Sequence, residues 1–187
     1  GGFRISPDLS NNEYVLTTQY LKKRIDYNVT YYRNAVKNPP LFDTASNYNA
    51  KQYTNLYQLG ASYPFNRIQS LRMNVAYRSD KYVKLGNKDF PIPSLFAKDI
   101  KHTYALAHIE YVHDDAISPA MNIWNGLRWK VYFDINARIK TTEPTTLAKK
   151  YPTTFNFGFD GRHYLPIYRN IIWAVRAAGD FSWGNQK

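Results

Sequence analysis

The chain has 187 residues, with 25 Lys+Arg against 14 Asp+Glu and a formal net charge of +11. Aromatic residues reach 17%, cysteine is absent, and yet the mean hydropathy is −0.55. This balance excludes a disulfide scaffold or cysteine zinc site, a disordered chain poor in aromatics, and a helical span of ~20 apolar residues.

The length fits one domain, 1–187. Gly1-Gly2-Phe3-Arg4 is not the charged start of a signal peptide.

Apolar and polar residues alternate along much of the chain, and side chains on a strand point to opposite faces at period two. Gly2–Ile5 reads as a short strand, and Tyr14, Leu16, Thr18 and Tyr20 as a weakly patterned one. Ile25, Tyr27, Val29 and Tyr31 alternate with Asp26, Asn28, Thr30 and Tyr32. Tyr53, Tyr57, Leu59, Ala61 and Tyr63 alternate with Thr54, Gln58, Gly60 and Ser62. Leu71, Met73, Val75 and Tyr77 alternate with Arg72, Asn74, Ala76 and Arg78. Ala105–Val112 follows the same rule. Leu127–Lys140 is the clearest case, with Leu127, Trp129, Val131, Phe133, Ile135, Ala137 and Ile139 on one face. Arg128, Lys130, Tyr132, Asp134, Asn136, Arg138 and Lys140 make the other. On a helix the apolar set would wrap all round, so a helix is excluded there. Phe155–Asp160 and Ile171–Trp183 complete the series of eight long strands.

The connections alternate in length. Leu21–Arg24, Pro64–Arg67 and Pro166–Arg169 are tight. The links Ala35–Ala50 (with Pro39-Pro40), Ser79–Ile100 and Thr141–Lys150 are longer, and Asp114–Asn125, with Ser118-Pro119, is intermediate. Short turns on one side and long loops on the other mark transmembrane β-barrels. The strands also reach the ~9–11 residues that a tilted crossing needs. A soluble barrel or sandwich alternates too, and alternation alone does not say which face points out; the long strands, the one-sided loops and the whole charges at mid-strand on the polar face favour the membrane version. The expected fold is all-β: an antiparallel up-and-down transmembrane β-barrel.

That fold sorts the candidate residues. Arg72, Glu110, Arg128, Lys130, Asp134, Arg138, Asp160, Arg162, Arg176 and Asp180 would face a wet lumen. Tyr27, Tyr31, Tyr63, Tyr77, Tyr111, Trp129, Phe133, Phe157, Trp173 and Trp183 would face lipid or form the aromatic girdles. The charges could line a conduit or anchor a plug, or simply be a solvated interior.

Three stretches resemble the BamA-like outer-membrane assembly and surface-antigen superfamily. The first is Tyr63-Pro64-Phe65-Asn66-Arg67 before an alternating strand. The second is Glu110-Tyr111-Val112-His113-Asp114-Asp115, then Pro119, then Asn125-Gly126-Leu127-Arg128. The third is Phe157-Gly158-Phe159-Asp160-Gly161-Arg162-His163-Tyr164 with Pro166. The resemblance covers about two thirds of the chain and looks closest to the branch in which a TolB-like propeller precedes the barrel. It implies a sixteen-stranded barrel in the bacterial outer membrane that inserts, translocates or secretes other proteins. It also makes Asp160 and Arg162 candidates for a structural pair or plug contact. The family's Arg-Gly-aromatic loop tip is missing here, and the chain ends Trp183-Gly184-Asn185-Gln186-Lys187 rather than on an aromatic residue. The resemblance therefore implies a partial barrel.

The functional expectation is a non-enzymatic barrel that offers a lumen or lateral seam to another polypeptide. The alternative is an anchor or scaffold subunit of a larger envelope complex. The partners would be outer-membrane lipid or lipopolysaccharide, reached by Lys81, Lys84, Lys88, Lys98, Lys149 and Lys150, and other envelope proteins such as a periplasmic propeller. No cofactor or metal is expected, since His102, His108, His113 and His163 do not cluster in sequence; they read as lumen or loop residues. Asp114-Asp115 reads as turn chemistry, and the sequon Asn28-Val29-Thr30 lies mid-strand. Nucleic acid is not expected, because the basic residues are scattered apart from Lys22-Lys23-Arg24.

Overall fold

A computed structural model describes residues 1–5, 11–37, 50–85, 98–116, 125–142, 152–169 and 171–185. The short strand β1 (Gly2–Ile5) is followed by eight long ones: β2 (Asn12–Tyr20), β3 (Asp26–Lys37), β4 (Ala50–Pro64), β5 (Gln69–Lys84), β6 (Ile100–Asp114), β7 (Gly126–Thr141), β8 (Thr153–Tyr168) and β9 (Ile171–Gly184). Each pairs antiparallel with the next, in the order β1 to β9. Among the described residues there is no helix, and β1 and β9 are the open edges. This is an up-and-down sheet, consistent with a segment of a β-barrel. Strands β4 to β9 run 14 to 16 residues, against ~5–6 for an ordinary strand.

The tight turns lie at one end. Phe65–Ile68 joins β4 to β5, with Phe65 N–H donating to the Gln69 carbonyl at 3.0 Å. The Asn66 side-chain oxygen accepts from the Ile68 and Gln69 N–H groups at 3.0 and 2.8 Å. Arg24, in the β2–β3 turn, donates to the Pro64 and Phe65 carbonyls at 3.4 and 3.2 Å and lies over the Tyr63 ring. Neighbouring turns are thereby stapled together.

Two boundaries differ from the sequence reading. Ser79–Lys84, expected in a loop, continues β5. Beyond Arg78 both faces carry polar residues, so the period-two contrast fades although the pairing persists as far as Tyr82 opposite Ile100. In β7 a bulge lies opposite Thr103/Tyr104: Arg138 faces Tyr104, whereas Lys140 faces Thr103. The extra residue, Ile139, turns Lys140 off the face it shares by parity with Arg138. Pro39, Pro40, Lys88, Ser118, Pro119, Lys149 and Lys150 lie outside the described residues.

Burial is inverted relative to a water-soluble domain. Among the described residues the buried hydrophobic ones are Ala35 and Val112, whereas Ser79, Asp80, Thr103 and Glu110 are also buried, Asp80 at 2% exposure. Large apolar side chains are exposed instead, among them Leu59, Val75, Ile109, Phe157, Phe181, Trp173 and Trp183. The apolar face carries a band. Its rows include Val29–Leu59–Val75–Ala107–Ile135–Phe155–Trp183 and Tyr27–Ala61–Met73–Ile109–Phe133–Phe157–Phe181. Arg33, Asn55, Ser79 and Thr103 bound it toward the long links.

Candidate functional site

Register places all ten candidate charges, from Arg72 to Asp180, on the face opposite this band. Arg72 faces Glu110, which faces Tyr132, then Gly158, then Asp180. One row nearer the tight turns, Val112, Lys130, Asp160 and Ala178 stand side by side; the row beyond is Asp114, Arg128, Arg162 and Arg176. The ten aromatic candidates share the apolar face. Tyr31, Tyr57 and Tyr77 cluster toward the long links, with successive ring centroids 5.0 and 6.5 Å apart. Tyr63, Phe65, Tyr111 and Trp129 cluster toward the tight turns at 5.2, 6.3 and 5.3 Å.

Ion pairs across and along the strands hold the charged face. Glu110 accepts from Arg72 at 3.3 Å and from Lys130 at 2.8 Å. Asp160 accepts from both nitrogen arms of Arg162 and of Arg176, the shortest contact being 2.8 Å. Arg128 pairs with Asp114 at 3.1 Å. Asp160 and Arg162 are thus a pair, with Arg176 as a third member that the sequence motif does not reveal.

Three further features were not singled out from sequence. Asp80 is held by Arg78 at 2.9 Å and by the Thr54 hydroxyl at 2.9 Å. The even spacing of Arg78, Asp80 and Tyr82 was the available signal. Tyr132 donates its hydroxyl to Asp180, and its ring lies over Gly158, where a Cβ would sit 2.2 Å from it. A hydrogen-bonded row crosses four strands: His108 to Asp134, Asn156 to Asp134 at 3.3 Å, and the Ser182 hydroxyl to Asn156 at 2.8 Å.

Among the described residues the His108–Asp134 pair supplies a base and its orienter, but no hydroxyl nucleophile bonds the ring. No group of three His, Cys, Asp or Glu there could hold a metal.

Two histidines depart from the sequence reading. His113 stacks on Trp129 at 5.7 Å, and His163 lies between Leu127 and Val175; both share the apolar face. Lys81 is also not a loop residue: it stands in β5 and pairs with Asp99 at 2.7 Å.

Asp114 and Asp115 do turn chemistry. Asp114 accepts from Ala116 N–H at 3.3 Å, and Asp115 accepts from Leu127 N–H. The Leu127 bond, with His113 nearby, holds the Asp115 carboxyl below the usual carboxylate range.

No protein-family model matches the chain, and no curated protein or solved structure matches it either.

Proposed function

We propose that this sheet is part of the wall of a transmembrane β-barrel in a bacterial outer membrane. Its apolar face lies against lipid and its charged face lines a wet interior. The inverted burial carries this reading: long apolar side chains stand exposed on one face while Asp80 and Glu110 are buried on the other. In water each of these half-exposed Leu, Val or Phe side chains forgoes about half of the ~1.5–3 kcal/mol that full burial gives, and monomeric soluble proteins rarely expose so large an apolar patch. Lipid removes that penalty.

The dimensions support it. Trp173 and Trp183 are ten residues apart on β9 and both about half exposed. At ~3.4 Å per residue that is ~34 Å along the strand. A tilt of ~40° reduces it to ~26 Å, matching an apolar band ~25 Å tall between aromatic girdles. The narrower reading, a barrel that offers its interior or a strand seam to another polypeptide, rests on the three family-like motifs.

Paired substitutions test the sidedness. Val75→Arg should cost ~2–4 kcal/mol of membrane-folded stability if position 75 faces mid-membrane. Asn136→Arg, on the charged face, should cost under ~1 kcal/mol. Equal tolerance, measured by urea unfolding in lipid vesicles, would overturn the assignment, as would recovery of a folded monomer in water without detergent.

A further inference from the structure

Toward the tight turns, the row Asp114–Arg128–Arg162–Arg176 carries an unbalanced charge. Arg128 stands directly opposite Arg162, and Arg162 opposite Arg176. Cβ atoms in such pairs are ~4.5–5.5 Å apart, and like charges there are destabilising. Neighbouring anions cancel them only in part: Asp114 pairs with Arg128, and Asp160 serves both Arg162 and Arg176. This row and the one before it hold four cations (Arg128, Lys130, Arg162, Arg176) against two carboxylates (Asp114, Asp160), an excess of 4 − 2 = 2, and adding Arg72, Glu110 and Asp180 of the next row inward still leaves 5 − 4 = 1. Asp160 already takes four N–H contacts from two guanidiniums, which fills its ~four acceptor positions. Lys130 is engaged by Glu110, which also serves Arg72.

The row is also accessible. The side chains of Arg128, Arg162 and Arg176 are 51%, 42% and 61% exposed. A recess of about 250 Å³ opens beside Arg128 and Arg162, lined by Arg72 and Lys130 as well and by the carboxylates Glu110 and Asp160, with Arg176 outside it on the neighbouring strand. The next row toward the turns pairs Gly126 with Tyr164 and Tyr164 with Ala174.

We propose that Arg128, Arg162 and Arg176 form a binding site for a multivalent oxyanion, a ligand with two or more phosphate or carboxylate groups. Guanidinium forks match both groups bidentately. Strand spacing of ~4.8 Å spreads the three stems over ~10 Å, wider than one phosphate and suited to linked anions. The site depends only on the charged face, so it stands apart from the question of what covers the apolar one.

The test is calorimetric titration of the whole chain, folded in detergent micelles, with pyrophosphate, citrate and inorganic phosphate at constant ionic strength. Saturable binding of pyrophosphate or citrate is expected, at least ~10-fold tighter than inorganic phosphate, and the better of the two identifies the oxyanion. Arg176→Gln and Arg128→Gln should each weaken it ~10-fold or more, and Arg176→Lys, which keeps charge but not the fork, by less. Arg67→Gln, in the β4–β5 turn, should leave it unchanged. Circular dichroism reports whether each variant keeps its sheet; should Arg176→Gln lose it, Arg128→Gln carries the comparison. No saturable binding, or wild-type affinity in a folded Gln variant, would overturn the site. A chain that folded without detergent would sink the barrel proposal and leave this titration readable.

Discussion

At the scale of single residues, glycine and aromatic rings fit together on the charged face. A Cβ on Gly158 would lie 2.2 Å from the Tyr132 ring, whereas one on Gly161 would meet nothing closer than 3.8 Å. Gly158→Ala should therefore cost ~1–3 kcal/mol by overpacking, with Gly161→Ala close to neutral. Denaturant midpoints of the two variants compare them directly.

Asp115 gives a pH dependence. Its folded carboxyl titrates below the unfolded value of ~3.9. Its bond to Leu127 N–H is thus fully stabilising above about pH 4 and is lost as pH falls through the lower folded value. Amide exchange of Leu127 should accelerate in that acid window. Asp115→Asn keeps an acceptor that does not titrate, so its exchange should lack that step.

At the scale of elements, adjacent strands are locked at the tight-turn end by Arg24. Its fork bridges two carbonyls and its plane lies 4.8 Å from the Tyr63 ring centre. Arg24→Ala should cost about 1 kcal/mol, since charged hydrogen bonds are worth ~1.5–3 kcal/mol and exposure reduces that. Arg24→Lys should not restore it, because an ammonium cannot make the fork; thermal unfolding in detergent would show either outcome.

The elements themselves were legible wherever the two faces differ in polarity. Leu127–Arg138 alternates without a break, and β7 follows it. Legibility fails at Ser79–Lys84 and Lys140, where both faces carry polar residues and a bulge can shift parity unseen. Faces were legible but partners were not. Glu110 and Arg72 are 38 residues apart in sequence, and only register, set by turns and bulges, makes them neighbours. The same holds for Arg176 joining Asp160 and Arg162. His113 and His163 were misplaced because polarity, not parity, was used to assign them.

At the scale of the whole molecule, the composition and the burial have one explanation. A chain that is 17% aromatic yet hydrophilic on average separates its two characters onto the two faces of one sheet. In a soluble sandwich a second layer would cover the apolar face. Here that face carries an apolar band with aromatic clusters toward either end, and the cover proposed for it is lipid. The absence of cysteine allows a direct measurement: single-cysteine spin labels at each position from 71 to 78, with the chain folded in lipid vesicles, and their accessibility to oxygen and to a water-soluble nickel chelate. A lipid-facing apolar side gives a period-two pattern, with oxygen favoured at Leu71, Met73, Val75 and Tyr77 and nickel at Arg72, Asn74, Ala76 and Arg78. Nickel access at the first set equal to or above that at the second would contradict it.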